Sequence, residues 1–325
     1  MSLIPLVNPI KPFSLFPNLN PNPKISSLGL KKPSARWRRR GNSRVCCSNS
    51  PREPRSAEKE LSILRPWNVP WDWKVTALVM MPYLMNIVFT GIVESSGLAG
   101  VQHPYSENML PQLHSNDEAI KLFMDQLLKS VAKLSVLYMF LLPHQPLPDD
   151  IFSLKWRQPL DLHKGWIIWA GSGLIIASSA IFLLKLLISS LCAGQTQNEQ
   201  TESLMRLLPL IGLSNVSTVC LLGVLGVLAP VCEETLYRGF LLTSLTKWFP
   251  LPLSVCLSSA LFTLGHQSPG KFLEIFIFGI VLGFVYSRTR NLLAPIIMHA
   301  CWNSGVILLL AYLQSQGHDI QKYVQ

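Results

Sequence analysis

Glu233 and Glu234 stand side by side directly after the apolar run Val219–Val231, and the chain continues from them into Phe240-Leu241-Leu242. A charged side chain near a bilayer centre costs about 2.5–3.5 kcal/mol even on a lenient insertion scale, so two carboxylates at such a place need a reason. On a helix Glu234 and Arg238 are four apart and pair, whereas Glu233 turns about 100° away and shares a side with Tyr237. One carboxylate is neutralised and the other is left free for chemistry.

Two imidazoles accompany them. Phe262-Thr263-Leu264-Gly265-His266 closes an apolar helix just before the break Ser268-Pro269-Gly270, and His299-Ala300-Cys301-Trp302-Asn303 puts an imidazole and an amide four apart on one face. A buried carboxylate holding water beside an imidazole is a general-base arrangement, and a nearby imidazole and amide donate to a developing oxyanion. That set describes peptide hydrolysis without a covalent intermediate. A single buried Glu-Arg pair or intramembrane His often only locks helices together. Glu233, Glu234, His266, His299 and Asn303 converging in depth outweigh that reading.

To meet, these side chains must stand at one level. Helices at 231–247 and 253–266, parted by Trp248-Phe249-Pro250-Leu251-Pro252, are expected to form a hairpin. At about 1.5 Å of rise per residue, Glu234 and His266 both stand about 20 Å from its turn, and His299 stands about 12 Å beyond the Arg288–Asn291 loop.

The wider chain has to supply a membrane frame. Of 325 residues 49% are hydrophobic and 14% charged, with a mean hydropathy of +0.32, too apolar for an ordinary soluble domain. Apolar runs at 75–93, 165–191, 207–229, 271–287 and 292–313 are long enough to span at about 20 residues per crossing. The stretch 126–142, with Lys129 and Lys133 four apart, reads as a further span or an interfacial helix. Segments 94–125 and 143–164 read as polar loops without chemistry, and Trp67, Trp71 and Trp73 suit a membrane interface. The expected fold is all-α, a polytopic integral membrane bundle of six to eight spans.

The net charge of +10 does not point to nucleic acid, because it sits in one place. Residues 1–52 hold ten Lys and Arg, Arg36, Arg38, Arg39, Arg40 and Arg44 among them, and no Asp or Glu, which leaves the remainder balanced at eighteen of each sign. A basic, acid-free, Ser- and Pro-rich leader reads as a transit peptide. Its early prolines break a mitochondrial-type amphipathic helix and favour a plastid. Val45-Cys46-Cys47-Ser48 resembles a processing site. The seven cysteines contain no CxxC pair and read as small hydrophobes, and Gly171-Ser172-Gly173 lacks the spacing of a serine nucleophile.

Glu-Glu-x-x-aromatic-Arg at 233–238, Phe-x-x-x-His at 262–266 and His-x-x-x-Asn at 299–303 occur in that order. Together they resemble the CAAX prenyl endopeptidase and bacteriocin-processing family. The resemblance implies a membrane endopeptidase in which Glu233 and His266 activate water, His299 and Asn303 stabilise the oxyanion, and Glu234 tunes the site. Arg238, Tyr237 and Phe262 support it. Glu233, His266 and His299 are also acceptable zinc ligands, but no HExxH is present, and no metal cofactor is expected.

The resulting division is a transit peptide at 1–46, a polar segment at 47–74, N-terminal transmembrane helices at 75–205, a catalytic core at 206–313 and a tail at 314–325. The expected partners are the bilayer of a chloroplast envelope or thylakoid and a membrane protein or peptide substrate. The alternative function is a non-proteolytic scaffold or regulator of a plastid membrane protein.

Overall fold

The computed structural model describes residues 65–95, 111–162, 164–191, 214–266 and 268–317. The expected transit peptide and processing site lie outside the described residues. Within them the chain forms helices α1 Trp73–Ser95, α2 Pro111–Leu141, α3 Trp166–Leu191, α4 Asn215–Leu245, α5 Leu251–Gly265, α6 Phe272–Thr289 and α7 Leu293–Ser315, with no strand. Five are long and apolar enough to cross a membrane: α2 with its extension to His144, α3, α4, α6 and α7. Large apolar side chains such as Ile175, Phe182, Leu183 and Leu187 point outward along α3. Soluble monomers do not expose such surface, so this is a multi-pass helical membrane protein.

Three expectations are corrected. The span at 207–229 and the helix at 231–247 are one continuous element, α4. Pro230 does not break it, because the turns over Leu222–Leu228 are π-helical, and a wider turn relieves the clash between the proline ring and the preceding carbonyls. Residues 111–125 are the first turns of α2 and not loop. Trp67 and Trp71 are not interfacial anchors, since both are buried, while Trp73 is exposed. Trp71 Nε1 donates to Ser244 Oγ at 2.8 Å, and Trp67 stacks on Tyr286 with 5.4 Å between ring centres. Residues 65–72 therefore strap the ends of α4 and α6 together.

The central helix is α6, packed against α3, α4, α5 and α7. Gly279 and Gly283 allow close approach to α5: a Cβ on Gly283 would lie 3.0 Å from Val255, and one on Gly279 would lie 3.1 Å from Ser259. Gly173 of α3 seats Met298 and Val285 in the same way, and Ser172 only hydrogen-bonds its own helix at Trp169 O. With 15 residues, α5 is about 22 Å long, short of a bilayer core of about 30 Å. The polar link after it therefore lies at the depth of the buried carboxylates.

Candidate active site

Helix α4 delivers the two carboxylates at the junction between the regular segment Ala229–Glu234 and a second π-helical stretch, Thr235–Leu242. Such bulges displace side chains from the regular helical positions. Glu234 is fully buried, and one of its oxygens, Oε1, accepts from Arg238 Nη1 at 2.8 Å and from His299 Nδ1 at 2.8 Å. Arg238 is buried as well, donates to Gly279 O at 3.2 Å, and lies over the Phe262 ring at 4.2 Å. Phe262 thus backs the guanidinium on one side and stands edge-on to both imidazoles. Tyr237 meets the Phe262 ring edge at 5.3 Å, and its hydroxyl rests against Gly265.

Glu233 faces the other way, with its side chain 31% exposed. Its Oε2 lies 3.8 Å from His266 Nε2 and 3.9 Å from His299 Nε2, and has no hydrogen-bond partner among the described residues. The Nδ1 of His266 lies 2.9 Å from Phe262 O. A carbonyl only accepts, so this Nδ1 carries a proton and Nε2 is the nitrogen turned toward Glu233. The bond from His299 Nδ1 to the Glu234 carboxylate fixes that ring likewise. Helix packing thus brings Glu233, His266 and His299 together within hydrogen-bonding range of one water, with Glu234 buried behind His299.

Asn303 carries a duty that spacing does not reveal. In the π ladder Ala229 N–H bonds to Val224 O, so Leu225 O would require the N–H of residue 230, which is proline. Asn303 Nδ2 supplies the missing donor at 2.9 Å. One of its amide protons is committed there, and the other remains for the cleft that Asn303 lines. Asn303→Leu is expected to cost about 1–3 kcal/mol by orphaning that carbonyl, read as a lower unfolding temperature in detergent even with no substrate present.

A cleft of about 460 Å³ opens on these groups and is lined by Glu233, His266, His299, Trp302 and Asn303. At its mouth Lys185 of α3 bridges to Glu274 of α6 at 3.3 Å. Burial holds the Lys271 ammonium below the ordinary lysine range there, and Glu274 pulls it back the other way.

Residues 215–305, which contain every one of these site residues from α4, α5 and α7, match the family model described as type II CAAX prenyl endopeptidase Rce1-like. Over those residues the chain is similar to that family. No curated protein and no solved structure matches the chain.

A metal is the natural question for this donor set. The ligand atoms of Glu233, His266 and His299 all lie within 4.8 Å of one another, and their types suit zinc. Their spacing is less apt: tetrahedral zinc at about 2.0–2.1 Å sets its ligands about 3.4 Å apart, against 3.8 and 3.9 Å from Glu233 to the two imidazoles. A water at hydrogen-bonding distance, about 2.8 Å from each group, spans that gap without movement.

Proposed function

We propose that this protein is an intramembrane endopeptidase of a chloroplast membrane, and that Glu233 and His266 activate the water that cuts the peptide bond. The observation that carries the reading is the convergence of Glu233 Oε2, itself without a partner, with two Nε2 atoms whose rings are fixed from behind. The basic, acid-free composition of residues 1–52 supports the plastid.

In this reading a water in the cleft donates to Glu233 and to His266 Nε2. Glu233 takes its proton as the water oxygen bonds to the scissile carbonyl carbon. The carbonyl oxygen becomes an oxyanion facing His299 and the free amide proton of Asn303. As the C–N bond breaks, the proton held by Glu233 passes to the leaving nitrogen, giving a new carboxylate and a new amine. No step forms a bond between enzyme and substrate.

The convergent donor set also favours a second reading. If zinc is resident, Glu233, His266 and His299 would hold it, and it would supply water of lowered pKa. Cleavage of a quenched peptide library by protein reconstituted in liposomes separates the two. The water mechanism expects activity to survive exhaustive chelation and to vanish in His266→Ala. Loss on chelation with recovery on adding zinc would establish the metal, and cleavage equal in wild type and His266→Ala would remove the endopeptidase reading.

A further inference from the structure

A second cavity, of about 210 Å³, is lined by the same two catalytic groups together with residues of α1 and α2. Glu233 and His266 line both spaces, so a peptide crossing Glu233 would place one flank of its scissile bond in each. The larger cleft ends on Lys185, bridged to Glu274, and on Lys271. The smaller is walled by Tyr83 of α1, Leu134 and Leu137 of α2, and Tyr237 of α4, and contains one cation, Lys133.

Lys133 lies within the candidate span 116–144 and has no ion-pair partner among the described residues. One turn away Lys129 is matched by Asp125 at 2.6 Å, whereas the neighbours of Lys133 at three and four positions are Ser130, Val136, Lys129 and Leu137. Its Nζ lies 6.0 Å from the centre of the Tyr83 ring. An unmatched ammonium on a membrane-crossing helix is costly and marks a pathway or a ligand. Glu233 is the carboxylate that shares this cavity, and the catalytic reading commits it to water.

We infer that Lys133 is a specificity residue that receives a carboxylate of the substrate in the small cavity on one side of the scissile bond. This rests on the endopeptidase reading and adds the chemical class of substrate it prefers. The carboxylate is either the free C-terminus of a short leaving fragment or an Asp or Glu side chain near the cut. The cavity volume matches one or two residues, so in either case the anion lies within a residue or two of the bond. The Lys133 stem packs along Leu134 and Leu137 while its head faces the anion.

The test uses matched quenched peptides in liposomes with wild type, Lys133→Met and Lys133→Arg. One pair differs in a C-terminal carboxylate against an amide, and another in Glu against Gln beside the cut. Wild type is expected to prefer one carboxylate-bearing member by about tenfold or more in kcat/KM. Lys133→Met should bring that ratio to about one, and Lys133→Arg should keep most of it. The pair that shows the preference identifies the source of the carboxylate. An unchanged ratio in Lys133→Met, or no preference in wild type, overturns the inference. If no peptide is cleaved, the proteolytic reading fails, and Lys133 is judged by binding of the same labelled peptides to the protein. A carboxylate preference abolished in Lys133→Met supports the site, and equal binding of carboxylate and amide peptides refutes it.

Discussion

Arg238→Met is expected to destabilise the protein by about 3–5 kcal/mol, the cost of leaving a buried charge without its partner. The substitution strands Glu234, whose carboxylate is fully buried and shares Oε1 between Arg238 and His299. It also removes the donor to Gly279 O and the cation over Phe262, both at the contact of α4 with α5 and α6. The methionine fills the space of the side-chain stem, so the loss is one of charge more than volume. The double variant Arg238→Met/Glu234→Gln should recover much of the stability, because the remaining amide carries no charge. Thermal unfolding in detergent, or retention on size-exclusion chromatography after heating, checks both. An unfolding temperature in Arg238→Met equal to wild type would show that Glu234 is held neutral by something else.

Glu233→Gln is expected to remove activity while leaving the fold intact. The amide is isosteric, and Glu233 Oε2 has no hydrogen bond among the described residues to lose. Loss of a positioned general base costs about 10²–10⁴-fold in rate, and here the same group also carries the proton to the leaving nitrogen. The reduction should fall on kcat with KM little changed, since Glu233 touches water and not the substrate's flanks. The unfolding temperature should match wild type, in contrast to Arg238→Met. Comparable losses of stability in the two variants would mean that Glu233 is a structural member of the buried cluster.

The contrast between the two glutamates was legible in the sequence, because i, i+4 spacing pairs Glu234 with Arg238 and a rotation of 100° separates Glu233. The common depth of Glu234 and His266 also followed from counting residues to one turn. What was missed has identifiable causes. The span at 207–229 and the helix at 231–247 read as separate elements, whereas the π stretch carries one helix through Pro230 and leaves Leu225 O for Asn303. Trp67 and Trp71 read as interfacial because an aromatic beside an apolar run looks the same in either setting. Their indole partners, Asp150 O and Ser244 Oγ, are 83 and 173 residues away. Lys133 counted only against α2 as a span, since its place beside Glu233 depends on how α1, α2 and α4 pack. The small-residue contact of Gly279 and Gly283 with α5 had a signal, two glycines four apart in an apolar helix, that spacing alone would have offered.

The most direct measurement is mass spectrometry of peptide ends after incubating reconstituted wild type, Glu233→Gln and His266→Ala with the same membrane-inserted peptides in water enriched in oxygen-18. The water mechanism requires each cut by wild type to yield one new amine and one new carboxylate, the latter carrying a single heavy oxygen, with neither product in the variants. Undiminished cleavage by Glu233→Gln, or folded wild-type protein that binds these peptides and never cuts them, would contradict it.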